Sequence, residues 1–206
     1  MLTNVIEDLN TFVQTSQLYL VPWLYCFAGL WAFNIVNWVL GSPLNIFGIY
    51  PRHIFGLLGI IFSPILHKNF SHLFFNSIPL FALGLAILAR GLPIFLEVTG
   101  VVVVLGGFGV WLFARRAIHI GASGLVSGYF GYILATAYFD PSATALLLAI
   151  VVGYYFGSIF LGIFPQEAKV SWESHLFGFL AGIASAFHLI PLSFWQHILF
   201  IWKIGL

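Results

Sequence analysis

Long apolar runs follow one another along the chain, separated by short polar or proline-containing breaks, and this pattern predicts a series of membrane-length helices. The first seventeen residues differ. Leu2, Val5, Ile6, Leu9, Phe12 and Val13 recur at helical spacing opposite Asn4, Glu7, Asp8 and Gln14, which predicts an amphipathic helix lying in the membrane interface over residues 1–17. Residues 18–40 are long enough to span and are closed by Gly41-Ser42-Pro43. The run 54–62 is too short to cross and is broken by Ser63-Pro64, so residues 41–71 are expected to dip into the membrane as a loop. Breaks at Arg90-Gly91-Leu92-Pro93, Arg115-Arg116, Asp140-Pro141 and residues 166–174 then leave five further spans, at about 72–90, 93–113, 121–139, 143–164 and 174–192. The expected organisation is an interfacial helix (1–17), an all-α polytopic membrane domain of six transmembrane helices (18–192) and a short interfacial tail (193–206) held at headgroup level by Trp195, Trp202 and Lys203.

Composition agrees with this pattern and removes its rivals. Of 206 residues 61% are apolar and 6% charged, too few charges to cover a water-exposed surface. Seven basic and six acidic residues, a net charge of +1, offer no basic stripe for nucleic acid. Cys26 is the single cysteine, so neither a disulfide framework nor a thiolate metal cage is available, and no HExxH pair points to a metal or other cofactor. No Lys or Arg precedes Arg52, so the charged start of a signal peptide is absent and the first helix is expected to remain in the mature protein.

In so apolar a chain, polar residues at the mouth of a span are functional candidates. They are His72 and Asn76 opening the second span, Ser123 and Ser127 opening the fourth, and His175 opening the sixth. Consecutive spans alternate direction, so the second, fourth and sixth start on the same side of the membrane, and these residues share one leaflet. A serine hydroxyl becomes a nucleophile when a base takes its proton, and neutral histidine is suited to that task, which makes Ser123 and His175 a candidate pair. Close approach of their helices needs small residues: Ser127 and Gly131 continue the face of Ser123, and Gly178 and Gly182 continue that of His175. Glu173 is two residues from His175 and points elsewhere on a helix, so a dyad without an acid is expected. Donors for an oxyanion are the backbone N–H of Ser123, the imidazole of His72 and the amide of Asn76, with Gly121 and Gly124 allowing the backbone to turn tightly. His67 is expected to order its loop by hydrogen bonding, and His53, His119, His188 and His197 receive no role.

At these residues the chain resembles the rhomboid family of intramembrane serine proteases. The matching motifs are His72-Leu-Phe-Phe-Asn76, Gly121-Ala-Ser123-Gly124, and His175 followed by Gly178 and Gly182. The resemblance implies a rhomboid-like bundle of six helices that hydrolyses, without metal or cofactor, a peptide bond in or near the transmembrane segment of a single-span substrate. Ser123 would be the nucleophile, His175 the base and then the acid, and His72, Asn76 and the Ser123 amide the oxyanion site. The implied setting is multi-pass in a lipid bilayer, in a prokaryotic plasma membrane. Two departures stand out: Ser127 occupies a position where many members carry a tyrosine packing on the base, and Tyr50-Pro51-Arg52-His53 stands near, but is not equivalent to, the Trp-Arg pair of the first loop. A catalytically inactive rhomboid-like protein that binds transmembrane helices is the alternative. Family topology would also leave Arg52, Lys68, Arg115, Arg116 and Lys169 outside, against the positive-inside tendency.

Overall fold

Helices are the only regular elements in the computed structural model, which describes residues 2–139, 141–165 and 171–188. The first, α1, runs from Leu2–Val39 with Pro22 inside it and has no break at the boundary the sequence pattern places after residue 17. Its 38 residues make a rod of about 57 Å, against the roughly 30 Å of a hydrocarbon core. The following connection folds into 3-10 turns at Pro43–Phe47, Ile54–Leu57 and Ser63–Ile65 and one short helix, α2 (Gly59–Phe62), none of spanning length.

Beyond it, α3 (Phe70–Leu88) is capped by Asn69, whose side chain accepts from the His72 N–H. Gly91, at φ 114, reverses the chain in a conformation that favours glycine. A continuous rod follows, made of α4 (Leu92–Val101), a π turn (Val102–Gly106) and α5 (Gly107–Phe113). The remaining helices are α6 (Ser123–Phe139), α7 (Ala143–Phe156), α8 (Ser158–Leu161) and α9 (Trp172–His188). The helix expected over 143–164 is therefore interrupted, at Gly157 and again after Leu161, where glycines weaken the helix. The expected tail 193–206 and the end of the last span lie outside the described residues.

Among the described residues, three helices are long and apolar enough to cross a membrane: Val5–Val39, Phe70–Leu88 and Leu92–Phe113. The others are shorter than the roughly 20 residues a crossing helix needs: α6 and α9 have 17 residues each and α7 has 14. This is the coarser result against the six spans read from the sequence.

The core forms around α6, which is buried without interruption from Val126 to Ile133. Its closest neighbour is α9. A methyl group added at Gly178 would overlap the Gly124 carbonyl, and one at Gly182 the Gly128 carbonyl, so the two backbones touch without side chains between them. The seam on α6 runs through Gly124, Gly128 and Gly131, and Ser127 on the same helix is buried. The Tyr129 hydroxyl, fully buried, lies 2.7 Å from Thr99 Oγ1. Helix α1 is pinned by Trp23, Trp31 and Trp38, whose indoles donate to the Phe81 carbonyl, the Ser77 hydroxyl and the His67 carbonyl. Leu18, Val21 and Tyr25 on α1 and Ile150, Tyr154 and Tyr155 on α7 are exposed, an apolar surface suited to lipid rather than to water.

Candidate active site

Ser123 is the first residue of α6, and the loop before it is fixed from several sides. Gly121 holds φ 119, and a Cβ there would stand 2.6 Å from His72 Cε1 and 2.7 Å from Nε2, so both its conformation and the closeness of the imidazole require glycine. The Gly121 N–H donates to the Ser63 carbonyl at 2.9 Å, and the Ala122 N–H donates to His67 Nε2 at 3.3 Å. Two residues before Gly121, His119 and Ile49 exchange both backbone hydrogen bonds at 2.9 Å. The connection between α1 and α3 is thus the bed on which the serine loop rests. That bed is itself clamped to α1 by buried Asn34, which donates to the Ile65 carbonyl and accepts from the His67 N–H, each at 2.9 Å.

His67, read from the sequence as a loop-ordering residue, makes that bond to Ala122 from a fully buried position. A backbone N–H can only donate, so Nε2 carries the lone pair and the ring is neutral. Burial, reinforced by neighbouring His72, lowers its pKa from 6.5 to about 4.

The residues singled out in the sequence come together. His72, Asn76, Ser123 and His175 line one cleft of about 570 Å³, walled also by Lys68, Arg115 and His119. A second cavity, of about 280 Å³, meets it at Asn76, Ser123 and His175 and extends between Phe75 and Pro79 of α3 and Ser158 and Ile159 of α8, with Ser127 on its wall. The His72 ring accepts from the Lys68 N–H at Nδ1 (3.5 Å), which leaves Nε2–H as the donor on the side of Gly121. Asn76 Nδ2 is buried and has no hydrogen-bond partner among the described residues, an unused donor beside the serine loop. Such a group costs free energy unless something arrives to accept from it. On α9, His175 Nδ1 lies 2.9 Å from the Gly162 carbonyl. Among the described residues, no hydrogen bond joins Ser123 to His175; catalytic bonds are often long before substrate binds.

Some contacts here had no signal in the sequence. His119, given no role there, bridges the Arg115 carbonyl (3.0 Å) and the Ser171 hydroxyl (2.6 Å), and Ser171 continues to Ser174 at 2.8 Å. Burial lowers the pKa of His119, opposed by its bond to the Arg115 carbonyl and by Glu173. Glu173 is buried and turned to Arg115, its Oε1 lying 3.7 Å from Nε. Among the described residues, no hydrogen bond joins it to His175. Among the described residues, no group of three His, Cys, Asp or Glu side chains stands close enough to hold a metal ion.

Comparison with known proteins gives a consistent result. Residues 55–192 match the family model of the Rhomboid domain. An uncharacterized protein of Mycobacterium tuberculosis is 37% identical over 169 residues, covering 78% of this chain and 70% of its own length. An uncharacterized protein of Mycobacterium bovis matches to the same extent. One of Mycobacterium leprae is 35% identical over 142 residues, 65% of this chain and 56% of its own.

Proposed function

The chain belongs to the rhomboid family, and from that membership we propose that it is an intramembrane serine protease, cleaving a peptide bond in or near the transmembrane segment of a single-span membrane protein. The observation that carries the proposal is the convergence of Ser123, His175, His72 and Asn76 on one cleft. In this reading Ser123 Oγ attacks the scissile carbonyl while His175 Nε2 takes its proton. The resulting oxyanion accepts from His72 Nε2–H, Asn76 Nδ2–H and the Ser123 N–H. His175 then gives the proton to the leaving amine as the C–N bond breaks. Water, deprotonated by the same nitrogen, hydrolyses the acyl-enzyme and restores the serine.

The six-helix arrangement is part of the proposal, with α1, α3, the α4–α5 rod, α6, α7 and α9 as spans. Helix α6, at 17 residues, is about 25 Å long, shorter than the roughly 30 Å hydrocarbon core. A helix enclosed by others can begin partway into the bilayer, which would set Ser123 below the membrane surface. The cavity between α3 and α8 offers a side entrance from lipid. Residues 1–17 would rest at the interface as the continuation of α1, and the setting would be a prokaryotic plasma membrane.

The test is cleavage of a single-span reporter in liposomes by wild type and Ser123→Ala; undiminished cleavage by the variant would overturn the assignment. One observation favours a second reading, an inactive helix-binding protein: Ser123 and His175 are not hydrogen-bonded. Fluorophosphonate labelling decides between the two, since only an activated Ser123 reacts.

A further inference from the structure

Among the described residues, no carboxylate is hydrogen-bonded to His175, yet a general base must be held in one tautomer. We infer that the main-chain carbonyl of Gly162 is the positioning group for His175, taking the place that a carboxylate occupies in a catalytic triad. The inference rests on the serine-protease reading above and supplies the part of the site which that reading lacks.

A carbonyl oxygen only accepts, so the 2.9 Å contact requires the proton on His175 Nδ1 and leaves the lone pair of the neutral ring on Nε2. This is the tautomer that can take a proton from serine. The nearest acid on the same helix, Glu173, is engaged with Arg115 through both its backbone N–H and Nε. Among the described residues, no hydrogen bond joins Ser127, standing where many family members place a tyrosine, to the ring, though both line one cavity.

Gly162 terminates α8, and its own N–H donates to the Ile159 carbonyl at 3.0 Å, so the turn presenting the carbonyl is closed. Carbonyls at a helix end have no partner within the helix, and here the imidazole supplies one. The residue has φ -67 and ψ -16, a conformation open to any amino acid. Glycine is required for a different reason: a Cβ would stand 2.6 Å from His175 Nδ1 and 3.3 Å from Cε1. A side chain at 162 would therefore push the ring off the carbonyl while leaving the backbone conformation available. When Nε2 takes the serine proton, the same carbonyl faces the Nδ1–H of a charged imidazolium, and a hydrogen bond to a charged group is stronger than one to a neutral group.

The experiment compares Gly162→Ala with Gly153→Ala, a position on α7 where an added methyl meets nothing within 4 Å. The full chain, labelled with 15N-histidine, is studied in detergent micelles by NMR, with the His175 signal assigned by its loss in His175→Gln. Fluorophosphonate labelling of Ser123 and thermal unfolding are measured on the same samples. Wild type and Gly153→Ala should show the Nδ1–H tautomer with a bare Nε2. Gly162→Ala should lose that signature and label at least about tenfold more slowly, the rate equivalent of one hydrogen bond to a charged group, without a matching loss of thermal stability. An Nε2–H tautomer in wild type, or wild-type labelling by Gly162→Ala, would overturn the inference. Should Gly162→Ala not fold, the wild-type tautomer alone decides. An Nδ1–H tautomer in a wild type that neither labels nor cleaves would support the positioning role and overturn the protease reading.

Discussion

Acidification should loosen the serine loop through one residue, His67. The unfolded chain binds a proton at this imidazole near pH 6.5, whereas the folded protein resists until about pH 4. Between those values the unfolded state holds more protons, so stability falls as pH falls; the contribution is complete above pH 6.5 and stops declining below about pH 4. A gap of about 2.5 pH units at about 1.4 kcal/mol per unit gives about 3 kcal/mol across the whole window. The structural cause is specific: a charged ring carries hydrogen on both nitrogens, so Nε2 could no longer accept from the Ala122 N–H. Glutamine supplies an accepting oxygen in the same region and does not titrate. Denaturant unfolding of wild type and His67→Gln in micelles, at steps from pH 7.5 to 4.5, separates His67 from His119 and the other histidines, which both proteins retain. The wild type should lose about 2 to 3 kcal/mol more than the variant between pH 6.5 and 4.5. Superimposable profiles would refute both the buried neutral state and its coupling to the loop.

Other expectations follow from the same contacts. His72→Ala and Asn76→Ala should each lower kcat by about 100-fold with KM little changed, measured on a reporter in liposomes, because in the proposed mechanism their donors act on the oxyanion and not on bound substrate. Gly178→Ala and Gly182→Ala should each destabilise by about 1–3 kcal/mol or more in denaturant titration, since the methyl meets a backbone carbonyl that cannot turn aside. Asn34→Ala should cost about 1–3 kcal/mol in the same assay by leaving the buried His67 N–H without an acceptor.

The site was legible in the sequence because the chain has so few polar residues within its apolar runs, and His72, Asn76, Ser123 and His175 do meet in one cleft. The Gly162 carbonyl was not legible, since every residue carries a carbonyl and only the fold decides which one meets an imidazole. The bridge from His119 to Ser171 escaped for a similar reason: 52 residues separate the partners, and no motif spacing links them. The glycine seam was legible at Gly131, Gly178 and Gly182, which do stand in the contact; what the sequence reading did not assign to it are the partners that the last two meet, Gly124 and Gly128. Their spacing of four, repeated by Gly178 and Gly182, was the available signal. Continuity of α1 past residue 17 was hidden because a change of polarity along a helix need not interrupt its hydrogen bonds.

The same seam bears on how the protein would respond to its membrane. With carbonyls set directly against glycines, α6 and α9 have no compressible side-chain layer between them, so the spacing of the serine and histidine helices is governed by the dimensions of the peptide unit. A thinner or thicker bilayer must then be accommodated elsewhere, at the exposed faces of α1 and α7 and at the broken stretch around Gly157. For the protease proposed above, lipid composition is thus expected to act on substrate entry and so on KM. The chemical step, measured as single-turnover acylation in bilayers of different chain length, should stay nearly constant.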